Sequence, residues 1–367
     1  MKIKNYMVTV SFLVFFLGGA LLCLLHTPQE YSASERRKLK QFPKITWETV
    51  LNTKAMSEFE SYTLDQFPFR DTFRTVKAIA HYYVFGQKDN NDVYLAGDSV
   101  SKLEYPLRPN LITSAGKKFE TLYNSHFKGT GANVYAAIIP DKNYFLAEKN
   151  GYPSIDYTEL LKLFRESTPD FKHIDLFDSL TIDQYYRTDT HWRQECLSGV
   201  VDVLASGMNI ADRLNWDYVE NTAEVPFYGV YYGQAALPMA PDTLVYLTNP
   251  ILDGCTVYNY ETGKTTGIYD MDQLAGDDPY EVFLSGAAAL LTIENPACKD
   301  GRELVVFRDS FGSSIVPLLA GAYSKITLVD IRYVDSNYLP NLVDLSTADD
   351  VLFLYSAMVL NQSNMLK

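Results

Sequence analysis

The sequence predicts an α/β fold in which a parallel sheet with flanking helices carries a β-rich insertion and is preceded by one N-terminal transmembrane helix. Three observations predict it. From residue 110 onward, apolar runs of strand length alternate with helical segments, and the same rhythm returns from residue 303 to the end. Between them, residues 215–300 hold short alternating runs such as TLVYLT and YEVFLSG, broken by Gly and Asp. Ahead of all this, residues 7–25, MVTVSFLVFFLGGALLCLL, are uncharged and mostly apolar.

That first run is long enough to cross a bilayer as a helix. Lys2 and Lys4 precede it, and LLCLLHTPQ follows where a cleavable signal peptide would show small residues. An uncleaved signal anchor over residues 1–26 is the reading adopted. Arg36, Arg37, Lys38 and Lys40 follow the span, so charge counting alone would keep the body inside. The chemistry described below places the body outside the cytoplasm.

Residues 27–110 read as a helical lead-in packed on the main domain. FESYTLDQFPFRDTFRTVKAIAHYYVFG has apolar residues at helical spacing, and Pro68 breaks it. The main α/β domain is expected over 111–367, with the insertion at about 215–300. In the first half, the helices LITSAGKKFETLYNSHFKG and YTELLKLFRES alternate with the strands NVYAAIIP and HIDLFDSL. In the second half, ELVVF, KITLVDI and DVLFLYS are strands, and IVPLLAGAYS is a helix.

Composition narrows the function. The chain has 367 residues with 32 basic and 45 acidic ones, a net charge of −13. Nucleic-acid binding needs a positive stripe, so nucleic acid is not an expected partner. The four cysteines, Cys23, Cys196, Cys255 and Cys298, show no metal-ligand spacing, and neither a GxGxxG nor a Walker pattern appears. No metal or nucleotide cofactor is expected. The 27 Tyr and 20 Phe suit either a Tyr-rich core or surfaces that stack on sugars.

Two motifs carry chemistry. VVFRDSFGSS places Ser310 on a turn between a strand and a helix, at the carboxyl end of a parallel strand where such folds gather ligands. YYRTDTHWRQE places Asp189 two residues before His191. A serine hydroxyl is a weak nucleophile that needs a base such as imidazole, and the imidazole needs a carboxylate to fix its tautomer. One extended segment can supply both. Taken alone, Ser310 or Asp309 also reads as a helix cap, and a lone His as a structural residue.

Together, TDTHW, RDSFG and the SASERRKLKQFP that follows the anchor resemble the DHHW family, relatives of the alginate O-acetyltransferases of the AlgX and AlgJ type, over about residues 31–360. The resemblance implies an SGNH-hydrolase-like fold with Ser310 as nucleophile, His191 as general base and Asp189 as its orienting acid. Thr190 stands at the first His of the family string, and Arg308 where SGNH hydrolases carry Gly before the Asp. Arg308, Trp192, Lys142, Tyr232, Arg332 and Tyr355 are the candidate substrate contacts.

The function so implied is a membrane-anchored, extracytoplasmic O-acetyltransferase acting on a cell-surface or secreted polysaccharide. Because acetyl-CoA is cytoplasmic, the implied partner is a multipass membrane O-acyltransferase that supplies the acetyl group. Two other readings of the same residues are an acetylesterase or deacetylase, and a non-catalytic glycan-binding assembly protein.

Overall fold

The computed structural model describes residues 2–367. By contact density the chain divides into two units, one holding residues up to Asn91 together with Tyr232–Met239, the other holding Asp92–Tyr231 and Ala240–Lys367.

The first unit begins with helix α1 (Lys2–Leu25), whose span Ile3–Leu25 is long and apolar enough to cross a membrane or to serve as a signal anchor and has no buried residue. Further on, α2 (Lys54–Asp65) and α3 (Arg70–Ile79) flank Pro68, and Phe69 at the junction takes a left-handed φ of 59°. The charged run after the anchor closes on these helices. Glu35 pairs with Arg70 at 2.5 Å and with Arg74 at 3.3 Å, and Arg37 grips Asp65 through two bonds of 2.8 and 2.6 Å. That bidentate contact holds the Asp65 carboxyl down at about 2.

The second unit is built on an eight-stranded sheet. Its strands in chain order are β1 (Asn133–Ile139), β2 (Lys172–Asp175), β3 (Thr256–Asn259), β4 (Lys264–Thr266), β5 (Leu290–Glu294), β6 (Glu303–Arg308), β7 (Lys325–Val329) and β8 (Asp350–Ser356). The spatial order is β4-β3-β5-β7-β6-β8-β1-β2. From β7 to β2 all neighbours are parallel, and β3, β4 and β5 add an antiparallel edge beyond β7. Thus part of the β-rich stretch between 215 and 300 extends the main sheet itself.

The sheet is covered on both faces, which is why its central strands read as unbroken apolar runs. Leu304, Val306, Leu352 and Leu354 face one core together with Val200, Val201 and Leu204 from helix α6 (Ser198–Gly207). Val305, Phe307, Val351 and Phe353 face the other, against Phe119 of α4 (Pro109–His126) and Leu160 and Phe164 of α5 (Tyr157–Ser167). Phe307 stacks on Phe353 across the β6–β8 pair at 4.7 Å. Each such buried side chain contributes about 1.5–3 kcal/mol, so this pair alone fixes strand register firmly.

After β6 the chain does not form the regular helix that its sequence suggests. Gly312–Ile315 makes one α-turn, and Val316–Ala322 continues as 3₁₀. Pro317 lacks an N–H to bond the preceding turn, which accounts for the change of helix type.

Candidate active site

The turn that carries Ser310 leaves the carboxyl end of β6, inside the parallel part of the sheet. Asp309 is buried, and its carboxylate accepts the N–H of Phe311 at 3.0 Å and the N–H of Ser356 at the end of the adjacent β8 at 2.8 Å. Asp309 therefore shapes the turn rather than facing ligand. Ser310 follows it, half-buried. Gly312 is required because a Cβ there would come within 2.8 Å of the Arg308 side chain beneath.

The Asp–x–His segment lies between β2 and α6 in an irregular stretch, and it brings both side chains to Ser310. The Ser310 hydroxyl donates to His191 Nε2 at 2.8 Å, and His191 Nδ1–H donates to Asp189 Oδ1 at 2.6 Å. With Asp189 ionised the proton must sit on Nδ1, which leaves Nε2 free to accept. Asp189 is fully buried, and its second oxygen accepts the N–H of Val230 at 2.8 Å. The carboxylate is thus held from two sides while it holds the imidazole.

Several residues outside the two motifs build this arrangement. The Tyr280 ring stacks on the His191 ring at 4.0 Å with only 8° between the planes, and its hydroxyl bonds Ser314 at 2.9 Å. The Asp242 carboxylate accepts the N–H groups of Arg187 and Thr188 at 3.0 and 2.8 Å and the Thr188 hydroxyl at 2.5 Å. Tyr231 donates to the Thr190 hydroxyl at 3.1 Å, so the residue that departs from the family string has a local partner. Tyr280, Asp242 and Tyr231 lie 42 to 91 residues from Asp189, at no spacing that marks them in the sequence.

The two motifs also bind each other apart from the Ser–His contact. Trp192 Nε1–H donates to Ser314 Oγ at 2.9 Å, and the Gln194 amide donates to the Ser314 carbonyl at 2.6 Å. Trp192 is fully buried, which makes it a strut between the motifs rather than a surface for sugar.

The other expected contacts fall elsewhere. Arg308 is buried beneath the turn, 3.8 Å from Asp330, and burial pushes its pKa down. Arg332 forks onto the same Asp330 at 2.6 and 2.9 Å. Tyr355 is fully buried in the core, stacked on Phe119. Tyr232 belongs to the other unit. The N–H groups of Phe311, Gly312 and Ser313 bond Asp309 and Ser310 within the turn.

Lys142, just after β1, is buried, and its ammonium donates to the carbonyls of Tyr186, Arg187 and Asp189. Burial pushes its pKa down to about 7, against the pull of Asp189 and Asp242. Beside it, Asp141 accepts the Tyr157 hydroxyl at 2.8 Å and the Asn143 N–H at 2.9 Å.

Burial raises Asp141 to about 6 and nearby Glu104 to about 7, the second also repelled by the first. A folded-state carboxyl raised above its ordinary value adds stability below that ordinary value and loses it as pH rises through the folded one. Resistance to denaturant is therefore expected to fall between about pH 4 and pH 7, with Glu104 responsible for up to about 3 kcal/mol. Unfolding titrations of the parent and Glu104→Gln check this, the variant showing the flatter profile.

The fold and this array together define an SGNH-hydrolase-like α/β protein with a Ser–His–Asp constellation at the strand ends. Residues 174–329, which include both motifs, match the family model described as DHHW protein, as the motif resemblance implies. No curated protein sequence matches the chain. Among solved structures, a DHHW family protein from Eubacterium siraeum is 22% identical, with 76% of this chain and 94% of that one covered at a TM-score of 0.60. Bacillus cereus PatB1 is 20% identical over 75% of this chain and 97% of its own, at 0.58. The O-acetyltransferase domain of Pseudomonas putida AlgJ aligns at 16% identity over 73% and 92%, with a TM-score of 0.43. The first two establish a shared fold.

Proposed function

We propose that the protein is an extracytoplasmic O-acetyltransferase, anchored in the cell membrane by its single N-terminal span, that acetylates hydroxyls of a cell-surface or secreted polysaccharide through Ser310, His191 and Asp189. The observation that carries the reading is the continuous hydrogen-bonded line from Ser310 Oγ through both imidazole nitrogens to Asp189. The choice of acetyl group and glycan rests on the motif resemblance, whose TDTHW and RDSFG residues lie within the stretch that matches the family model.

In the first half-reaction Ser310 Oγ attacks the acetyl carbonyl while His191 Nε2 takes its proton. The imidazolium is stabilised by Asp189, and it returns the proton to the oxygen of the departing donor. In the second, a glycan hydroxyl gives its proton to His191 as its oxygen attacks the acetyl-serine. Ser310 then leaves and recovers that proton. The donor is an acetyl group passed across the bilayer by a multipass membrane O-acyltransferase.

Product analysis tests the reading. The full chain is supplied with an acetyl ester donor and a de-O-acetylated cell-surface glycan. Acetylated glycan, with release of free acetate suppressed as acceptor is added, is the expected result. Free acetate at the same rate with or without acceptor would make the protein an esterase. No turnover of any ester by folded protein would favour the glycan-binding reading.

A further inference from the structure

The segment that carries Asp189 and His191 has a problem common to irregular chain: buried backbone groups with no helix or sheet ladder to satisfy them. Tyr186, Thr188 and Asp189 are buried, and the stretch 187–190 forms neither helix nor strand. Its N–H groups at 187 and 188 are taken by the Asp242 carboxylate. Its carbonyls at 186, 187 and 189 are taken by one side chain, Lys142, at 2.7, 2.8 and 3.1 Å. An ammonium has three donors, and here it meets three acceptors drawn from four consecutive residues. The side chain is 2% exposed, so none of it is presented to a ligand. Its approach is fixed from below by Asp141, which caps the short helix Lys142–Leu146, and its charge lies 5.6 Å from the centre of the Tyr231 ring.

We infer that Lys142 is a positioning residue for the Asp189–His191 pair, a buried ammonium that pins the carbonyls of residues 186, 187 and 189 so that the carboxylate meets Nδ1 and the imidazole meets Ser310. The inference deepens the proposed function and rests on its reading of the triad. A buried charge is costly to hold and a neutral side chain would suit a purely structural filler better. Its drop in pKa records that cost. What the charge provides is a set of three short bonds on the backbone that leads into His191.

The test uses the full-length protein and its Lys142→Met and Lys142→Gln variants. Methionine keeps the length of the stem and removes all three donors, whereas glutamine keeps two N–H donors and serves if the first variant fails to fold. Two readouts are taken. One is the low-field proton resonance of His191 Nδ1–H, which reports the bond to Asp189 and needs no substrate. The other is the rate at which phenylmethylsulfonyl fluoride modifies Ser310, beside kcat and KM for a chromogenic acetyl ester.

Lys142→Met is expected to lose the low-field resonance and to react about 10²-fold more slowly, with kcat reduced and KM unchanged, as a misplaced base requires. Lys142→Gln is expected to recover part of the rate. Folded variants that keep the resonance and the parent's rate would overturn the inference. If the parent itself is not modified at Ser310, the catalytic reading fails instead, and the resonance still decides the role of Lys142.

Discussion

Ser310→Ala is expected to lower kcat for hydrolysis of a chromogenic acetyl ester by about 10⁴-fold while leaving the thermal midpoint where it is in the parent. The substitution removes one oxygen atom from a half-buried turn whose shape is set by Asp309, through its bonds to Phe311 and Ser356, and not by the serine hydroxyl. The Ser310 hydroxyl bonds His191 at 2.8 Å. His191→Ala is expected to cost about as much, and the double variant little more, as the proposed pairing of nucleophile and base requires. A single-variant loss below about tenfold, or fully additive losses in the double, would mean that ester turnover runs through other residues.

Gly229→Ala is expected to damage both stability and turnover. Gly229 passes so close to the triad that a Cβ would sit well inside van der Waals contact of the Asp189 Cα and Cβ and of the Thr188 carbonyl. The same short stretch donates the Gly229 N–H to the Thr188 hydroxyl at 3.0 Å and the Val230 N–H to Asp189 Oδ2 at 2.8 Å. The added methyl must therefore push apart the two pieces of backbone that hold the carboxylate. Overpacking of this kind costs about 1–3 kcal/mol, and displacing the acid by a fraction of its bond length is expected to lower kcat by about 10²-fold. Gly254→Ala, where a Cβ meets nothing within 4 Å, is the matched control. Paired melts and ester kinetics check both, and an unimpaired Gly229→Ala would contradict the packing described.

The parallel strands were legible because a sheet covered on both faces turns each strand into a run such as LVVF or VLFLY. The helix over Tyr157–Ser167 was legible for the complementary reason, apolar residues at Leu160 and Phe164 on one face. Residues 215–300 were legible as strands, yet short alternating runs carry no information on which sheet they join. Pairing of Leu290–Glu294 with Lys325–Val329 is a tertiary event.

The candidate site divides in the same way. Asp189 and His191 reveal themselves because a two-residue spacing is enough to seat one on the other, and Ser310 because its turn follows a buried strand. Tyr280, Asp242 and Gly229 act at long sequence separation and leave no local trace. Lys142 was visible as a charged residue at a strand end, a setting that reads as a solvent-facing cleft lysine. Its burial depends on the 186–189 segment folding over it.

The measurement that tests the central claim most directly is location of the acyl group during turnover. The full-length protein in detergent is mixed with an acetyl ester, quenched in acid within the first turnovers, digested and mapped by mass spectrometry. The account predicts one acetyl group on Ser310 in the parent and none anywhere in Ser310→Ala. An ester-hydrolysing parent with Ser310 unmodified, or an equally acetylated Ser310→Ala, would contradict it.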